Sequence, residues 1–243
     1  MLTEPTKERL LAMRLVAMAA AWLEQQKDPK ISALSFDERF GLVVEAEHMA
    51  RENRRLTRLL KDAQLRLPEA CVEDVEVSST RGLEKSQLSQ LTSCSWVIEH
   101  INITVSGSTG VGKSYVGCAL GQLACRRGFR VLYRRMPRLF EELSLAKADG
   151  SYARTLAKIA RFDVLIIDDL GIGSLKEAQR HDLLEVLEDR YGRRSSIVTS
   201  QLPVAKWHEW IGDPTVADAI MDRLIHNSHK IALKGPSRRK EKN

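Results

Sequence analysis

Residues 107–114 read GSTGVGKS and fit the pattern G-x-x-x-x-G-K-[ST] at every fixed position. A triphosphate is a dense anion, and holding one takes backbone N–H groups that turn inward together. Gly107, Gly110 and Gly112 keep side chains out of that approach and permit positive φ. Ser108, Thr109 and Val111 complete the candidate cradle. Lys113 adds a point charge for the β- and γ-phosphates, and Ser114 offers a hydroxyl to Mg²⁺. The helix expected to start near Lys113 aims its N-terminal dipole at the same phosphates.

A second signature follows at 164–169, VLIIDD. Four apolar residues predict a buried strand with two carboxylates at its C-terminal end. In that arrangement Asp168 holds magnesium through water and Asp169 handles the water that attacks the phosphate. Lys113, Asp168 and Asp169 are thus candidate catalytic residues, and Ser114 and Asp168 candidate metal ligands.

These side chains need elements to position them. A β-branched run at 101–105 precedes the loop and a helix at 114–127 follows it, the order that a phosphate-binding loop requires. Further strands are expected at 130–133, 195–200 and 230–233. Helices are expected at 137–147, 151–161 and 175–191. This is an α/β series with a parallel sheet. One complete strand–helix unit separates the loop helix from VLIIDD. That insertion predicts another strand lying between the two in space, with a polar residue at its tip. SSIVTSQLP delivers Thr199, Ser200 and Gln201 there, where a hydroxyl or amide can hold the water or simply cap the strand. Arg223 follows a predicted helical segment and could reach the γ-phosphate of a neighbouring copy, with Arg193 and Arg194 as weaker candidates. Arg238 and Arg239, in the basic terminal segment, are candidates for contact with phosphate.

The N-terminal region is predicted all-helical: one helix at 6–26, then a long one to about Gln64. Ser35 with Glu38 three residues on reads as a capping box, and Pro68 ends the pattern. The expected organisation is a helical domain at 1–67, a connector at 68–95 and an ATPase domain at 96–243. On the long helix Arg51, Arg54, Arg55 and Arg58 fall at i, i+3, i+4 and i+7. This basic stripe reads either as a solvated face or as a footprint for DNA phosphates. Arg134 and Arg135 belong to a second basic cluster around 126–138.

The net charge of +6 permits nucleic-acid binding without requiring it. The four cysteines form no C-x-x-C pair, which disfavours a zinc site or a disulfide framework and fits a reducing cytoplasm. No apolar run is long enough to span a bilayer and no signal-peptide cleavage pattern is visible, so a cytoplasmic protein with no membrane partner is expected.

Taken together, FDERFGLVVEAEHMARENRRLTRLLKDAQLRLP (36–68), RGLEKSQLSQL (81–91), the block at 107–171 and SQLPVAKWHEWIGD within 191–235 resemble the IstB-type transposition helper ATPases of bacterial insertion sequences. The resemblance spans nearly the whole chain. The DnaC and DnaI helicase loaders are similar in the ATPase domain only. The resemblance implies an AAA+ fold that uses ATP and Mg²⁺ and self-assembles with ATP on double-stranded DNA. It also implies deformation of target duplex and recruitment of the partner transposase. By match, Ser200 is the sensor at the strand tip, Arg223 the finger, and Arg239 the arginine of a terminal G-x-S-x-R element. The chain departs from the family pattern at Ser108, Ser114 and Pro236. The first two changes remove no backbone donor and no hydroxyl; the third bears on Arg239. Rival readings are a replicative helicase loader, a small-metabolite phosphotransferase and a nucleotide-gated scaffold without turnover.

Overall fold

The structure is a computed structural model and describes residues 3–237. Two compact units divide the chain, Met1–Arg58 and Leu59–Asn243. The division falls inside a helix rather than at the predicted 67/68 boundary. The physical reason is burial: Leu59, Ala63, Leu65, Ala70, Val72, Val75, Leu83 and Leu91 are all buried in the second unit. The expected connector is therefore a packed part of the larger unit.

In the first unit the single helix expected at 6–26 is two: α1 (Thr3–Ala12) and α2 (Val16–Gln25). Between them Arg14 takes φ +59°, a break that no Gly or Pro announces. A short turn, α3 (Pro29–Ser32), leads to α4 (Phe36–Ala63). Ser35 and Glu38 form the predicted capping box: the Ser35 N–H donates to Glu38 Oε2 at 2.8 Å and the Glu38 N–H to Ser35 Oγ at 3.3 Å.

In the second unit, α5 (Lys85–Thr92) and α6 (Ser95–Ile98) precede β1 (Asn102–Gly107). Then follow α7 (Lys113–Arg126), β2 (Val131–Arg135), α8 (Met136–Ala148), α9 (Tyr152–Ala160), β3 (Val164–Leu170) and α10 (Glu177–Glu188). The chain continues through β4 (Ser195–Ser200), α11 (Trp207–Ile211), α12 (Pro214–Ile225) and β5 (Ser228–Leu233). The strands form one five-stranded sheet in the order β2-β3-β4-β1-β5, with every pairing parallel. The strand predicted between the loop strand and VLIIDD is β4.

Burial follows position in the sheet. Interior strand β3 is apolar and fully buried through Val164–Ile167, as a parallel strand covered on both faces must be. Edge strand β5 alternates instead. On one face, α7 packs close because Gly117 and Gly121 lack side chains. A Cβ at Gly121 would meet Ile166 Cδ1 at 2.6 Å. The other face is a core of Leu139, Leu143, Leu183, Trp207, Ile220 and Leu224 drawn from α8 and α10–α12. Among the described residues no helix is long and apolar enough to cross a membrane.

Candidate nucleotide site

The chemistry-bearing residues converge at the C-terminal ends of the strands, where open parallel sheets place their ligands. β1 ends in Gly107, and the loop turns at positive φ through Gly107 (+150°), Gly110 (+85°) and Gly112 (+106°). Glycine is required at the first of these for space as well. A Cβ on Gly107 would stand 2.4 Å from the Leu233 carbonyl oxygen of neighbouring β5. Val111 is buried and its carbonyl accepts from Arg81 Nη2 at 2.8 Å, so a side chain from the segment before α5 braces the loop. Gly112 caps α7, whose first residues line the cavity.

Lys113 is buried and its Nζ donates to the Ser108 carbonyl at 2.9 Å. Ser114 Oγ donates to Asp168 Oδ1 at 2.8 Å. The two candidate metal ligands thus meet although far apart in sequence. Asp168 is fully buried and accepts two further hydroxyls, Thr199 Oγ1 at 2.5 Å on Oδ1 and Tyr133 OH at 2.7 Å on Oδ2. Burial and then the Asp168 carboxylate push the Tyr133 phenol well above its ordinary pKa, so it stays a donor. Asp169 follows at φ +67°, a left-handed conformation that Asp tolerates better than most residues. Its N–H donates to Thr199 Oγ1 at 3.1 Å and its carboxylate accepts from Arg135 Nε at 2.9 Å.

Thr109, Lys113, Ser114, Asp169, Gln201 and Arg66 line one cavity. Gln201 reaches the loop directly, its Oε1 accepting from Thr109 Oγ1 at 2.8 Å. Ser200 does not face this cavity. Its hydroxyl donates to the Leu170 carbonyl at 2.6 Å and accepts from the Leu202 N–H at 3.1 Å, so it is committed to closing the β3–β4 edge. Of the three polar residues at the β4 tip, the geometry favours Thr199 and Gln201 for the chemistry.

Arg223 is far from this cavity. It lies within the last turn of α12, not after it, and pairs with Glu188. Its backbone carbonyl accepts from Asn102 Nδ2 at 2.8 Å, and Asn102 opens β1 at the end opposite Gly107. Arg194 and the buried Arg190 line the same cavity as Arg223 at that opposite edge. Arg239 lies outside the described residues.

The basic stripe is partly internal wiring. Buried Glu47 accepts from Arg51 Nε at 2.8 Å and Arg54 Nη2 at 3.2 Å, and also from the N–H groups of Ala17 and Met18 at the start of α2. Arg55 stands 3.8 Å from Glu52. These arginines remain about half exposed, and Arg58 is exposed too. Arg134 is different. It bonds Glu142 and Gln64, both at 2.8 Å, and its side chain is only 15% exposed, so it offers little to an outside phosphate. Arg135 is occupied by Asp169. Sequence reasoning named Thr199 and Gln201 only as alternatives and missed Tyr133 and Arg66, which no fixed spacing ties to the loop.

The donor set suits magnesium. Ser114 and Asp168 present hard oxygens at one point, and among the described residues no cluster of three or more His, Cys, Asp or Glu could cage a metal alone. Magnesium binds in that way, through one or two protein oxygens with phosphates and water supplying the rest.

A phosphate loop on β1, paired acids on β3 and the interposed β4 define a P-loop ATPase of the AAA+ class. The chain belongs to the IstB-like ATP binding protein family, whose model matches residues 8–243. It is 49% identical over 240 residues to y4pL, an insertion sequence ATP-binding protein of Sinorhizobium fredii, covering 99% of this chain and 98% of that one. It is 47% identical over 203 residues to the IS1162 ATP-binding protein of Pseudomonas fluorescens, covering 84% and 88%. Among solved structures, DnaI superposes with a TM-score of 0.58 at 23% identity over 74% of this chain and 92% of that one, a likeness of fold.

Proposed function

We propose that this chain is the ATP-driven helper of an insertion-sequence transposition system. It assembles with ATP on double-stranded DNA, deforms the duplex and recruits the transposase of the same element in the cytoplasm. The observation that carries the nucleotide half is the meeting of Ser114, Asp168 and Thr199 at one point beside the loop. The family supports the transposition half, since the relatives are named for insertion sequences.

Backbone amides of 108–112, Lys113 and the N-terminus of α7 bind the phosphates. Ser114 and Asp168 would hold Mg²⁺, which when bound would neutralise charge on the phosphate oxygens. Gln201 and Asp169 orient water at the terminal phosphate, and Asp169 takes its proton. Arg223 cannot serve its own site. β1 alone separates the two ends by six residues, about 20 Å. A second copy has to bring it, which makes assembly part of catalysis. DNA contact falls to the exposed arginines of α4, Arg51, Arg54, Arg55 and Arg58, rather than to Arg134 or Arg135.

Electron microscopy of the protein on long duplex, with magnesium and with or without AMPPNP, tests this reading. Nucleotide-dependent assemblies that bend the DNA are expected, weakening steeply with salt. Binding by single molecules, indifferent to nucleotide, defeats it. A pull-down that retains a replicative helicase and no transposase transfers the function to the helicase-loader reading, whose support is the DnaI-like fold.

A further inference from the structure

Two arginines stand over the paired acids, and they are held differently. Arg135 makes a 2.9 Å contact with Asp169. Arg66 stands 3.7 Å from Asp168 Oδ2 and 3.9 Å from Asp169 Oδ2, beyond hydrogen-bond length to either, and faces the Tyr133 phenol. Both Asp168 oxygens already accept short bonds from Ser114, Thr199 and Tyr133. Arg66 therefore adds little to holding Asp168, and its side chain is 43% exposed, where such pairs are weak. Yet it lines the same cavity as Lys113, Ser114 and Gln201.

Its backbone, by contrast, is fixed. Gln64 ends α4 at φ +52° and is tied to Arg134, and buried Leu65 fills the space that Gly121 leaves on α7. The Leu67 carbonyl accepts from the Ala70 N–H at 3.1 Å. A pinned backbone carrying a loosely held cation into a phosphate cavity is a built ligand rather than a surface pair.

We infer that Arg66 is a ligand of the terminal phosphate of the nucleotide in its own subunit, supplied from the segment just past α4. The inference rests on the nucleotide-site reading above. Two carboxylates face three cations here, Lys113, Arg66 and Arg135. A divalent cation at Asp168 would repel Arg66, and Asp169 is already bonded to Arg135, so a bound phosphate is the anion with oxygens open to Arg66. A terminal phosphate placed beside Asp168 and Asp169 would let Arg66 distinguish a triphosphate from a diphosphate. The planar guanidinium suits two phosphate oxygens at once.

Calorimetric titration with AMPPNP and with ADP, both in magnesium, tests this on the full chain and on Arg66→Ala, Arg66→Lys and Arg66→Met. Arg66→Ala and Arg66→Met are expected to bind AMPPNP about tenfold more weakly, with ADP affinity held within about twofold. Arg66→Lys should recover part of the loss. The methionine variant keeps the aliphatic stem and carries the comparison should the alanine variant fail to fold. Equal loss for both nucleotides, or no loss for either, overturns the inference. Wild-type protein that binds neither nucleotide defeats the nucleotide-site reading itself, which is a separate result from a wild type that binds and an Arg66→Met that binds AMPPNP equally well.

Discussion

Asp168 receives hydroxyls from three elements: Ser114 on α7, Thr199 on β4 and Tyr133 on β2. Such a buried carboxylate is fixed before any metal arrives, because moving it would strand donors in a dry core. In the proposed site Ser114 is itself a metal ligand, whereas Tyr133 acts only through Asp168. Tyr133→Phe keeps the ring and removes the phenol bond. It should lower unfolding stability by about 1–2 kcal/mol. It should also raise the Mg²⁺ concentration for half-maximal ATP turnover by about tenfold, since outer-shell partners orient the inner ligands. A magnesium titration of turnover beside a thermal melt decides it. Lost stability with an unchanged magnesium requirement makes Tyr133 a packing residue and no more. Ser200, the position that matches the family's sensor, turns its hydroxyl to the Leu170 carbonyl instead of the cavity. Three polar residues in a row alternate across the sheet, and residue type alone does not say which side faces the phosphates.

At the level of elements, the strands and helices of the ATPase unit were legible because buried parallel strands and an amphipathic helix follow different periods. β4 was even placed correctly between β1 and β3 from the length of the inserted unit. What stayed hidden were contacts set by tertiary packing: the break at Arg14, the burial of apolar residues such as Ala70, Val72 and Leu83 in the expected connector region, and the role of Glu47. The last is testable. α2 has no side-chain cap of its own, as Leu15 stands at the N-cap position. Glu47 from α4 supplies one to Ala17 and Met18. The Arg51 hydrogen bond, followed by that of the Met18 N–H, holds the Glu47 carboxyl below its ordinary value of 4.5. A folded pKa below the unfolded one contributes stability that is complete above the ordinary carboxylate range and lost as pH falls through the folded value. Corrected amide-exchange protection at Ala17 and Met18 should therefore drop on acidification below that range. Glu47→Ala should lower the protection at neutral pH by about fivefold and flatten its pH dependence. If acid and the substitution leave those amides equally protected, the cap is incidental. Arg51 and Arg54 share this carboxylate, so a DNA phosphate, as proposed, would have to compete with an internal partner.

For the molecule as a whole, the two ends of the sheet divide the labour. The C-terminal end holds Lys113, Asp168 and Asp169; the N-terminal end holds Arg223, Arg190 and Arg194. In the proposed assembly one copy carries a receptor and a key on opposite edges, and a head-to-tail contact between copies would join them. Contacts of that kind repeat, generating rings or filaments rather than a closed pair. If each active site borrows from two copies, as proposed, two different inactive variants can rescue one another. Lys113→Ala loses the phosphate charge but keeps Arg223, and Arg223→Ala keeps the loop but loses the finger. Each alone should hydrolyse ATP at a small fraction of the wild-type rate. An equal mixture should regain activity, because some interfaces pair an intact loop with an intact arginine. Arg223 also bonds the Ala219 carbonyl at 2.8 Å and stacks 5.7 Å from the Tyr191 ring centroid, so a melt must show that Arg223→Ala stays folded. Steady-state ATPase assays on the separate and mixed proteins with duplex DNA give the answer. A mixture no more active than the mean of its parts removes Arg223 from the neighbour's site, and Arg194, on the same edge, becomes the next residue to exchange.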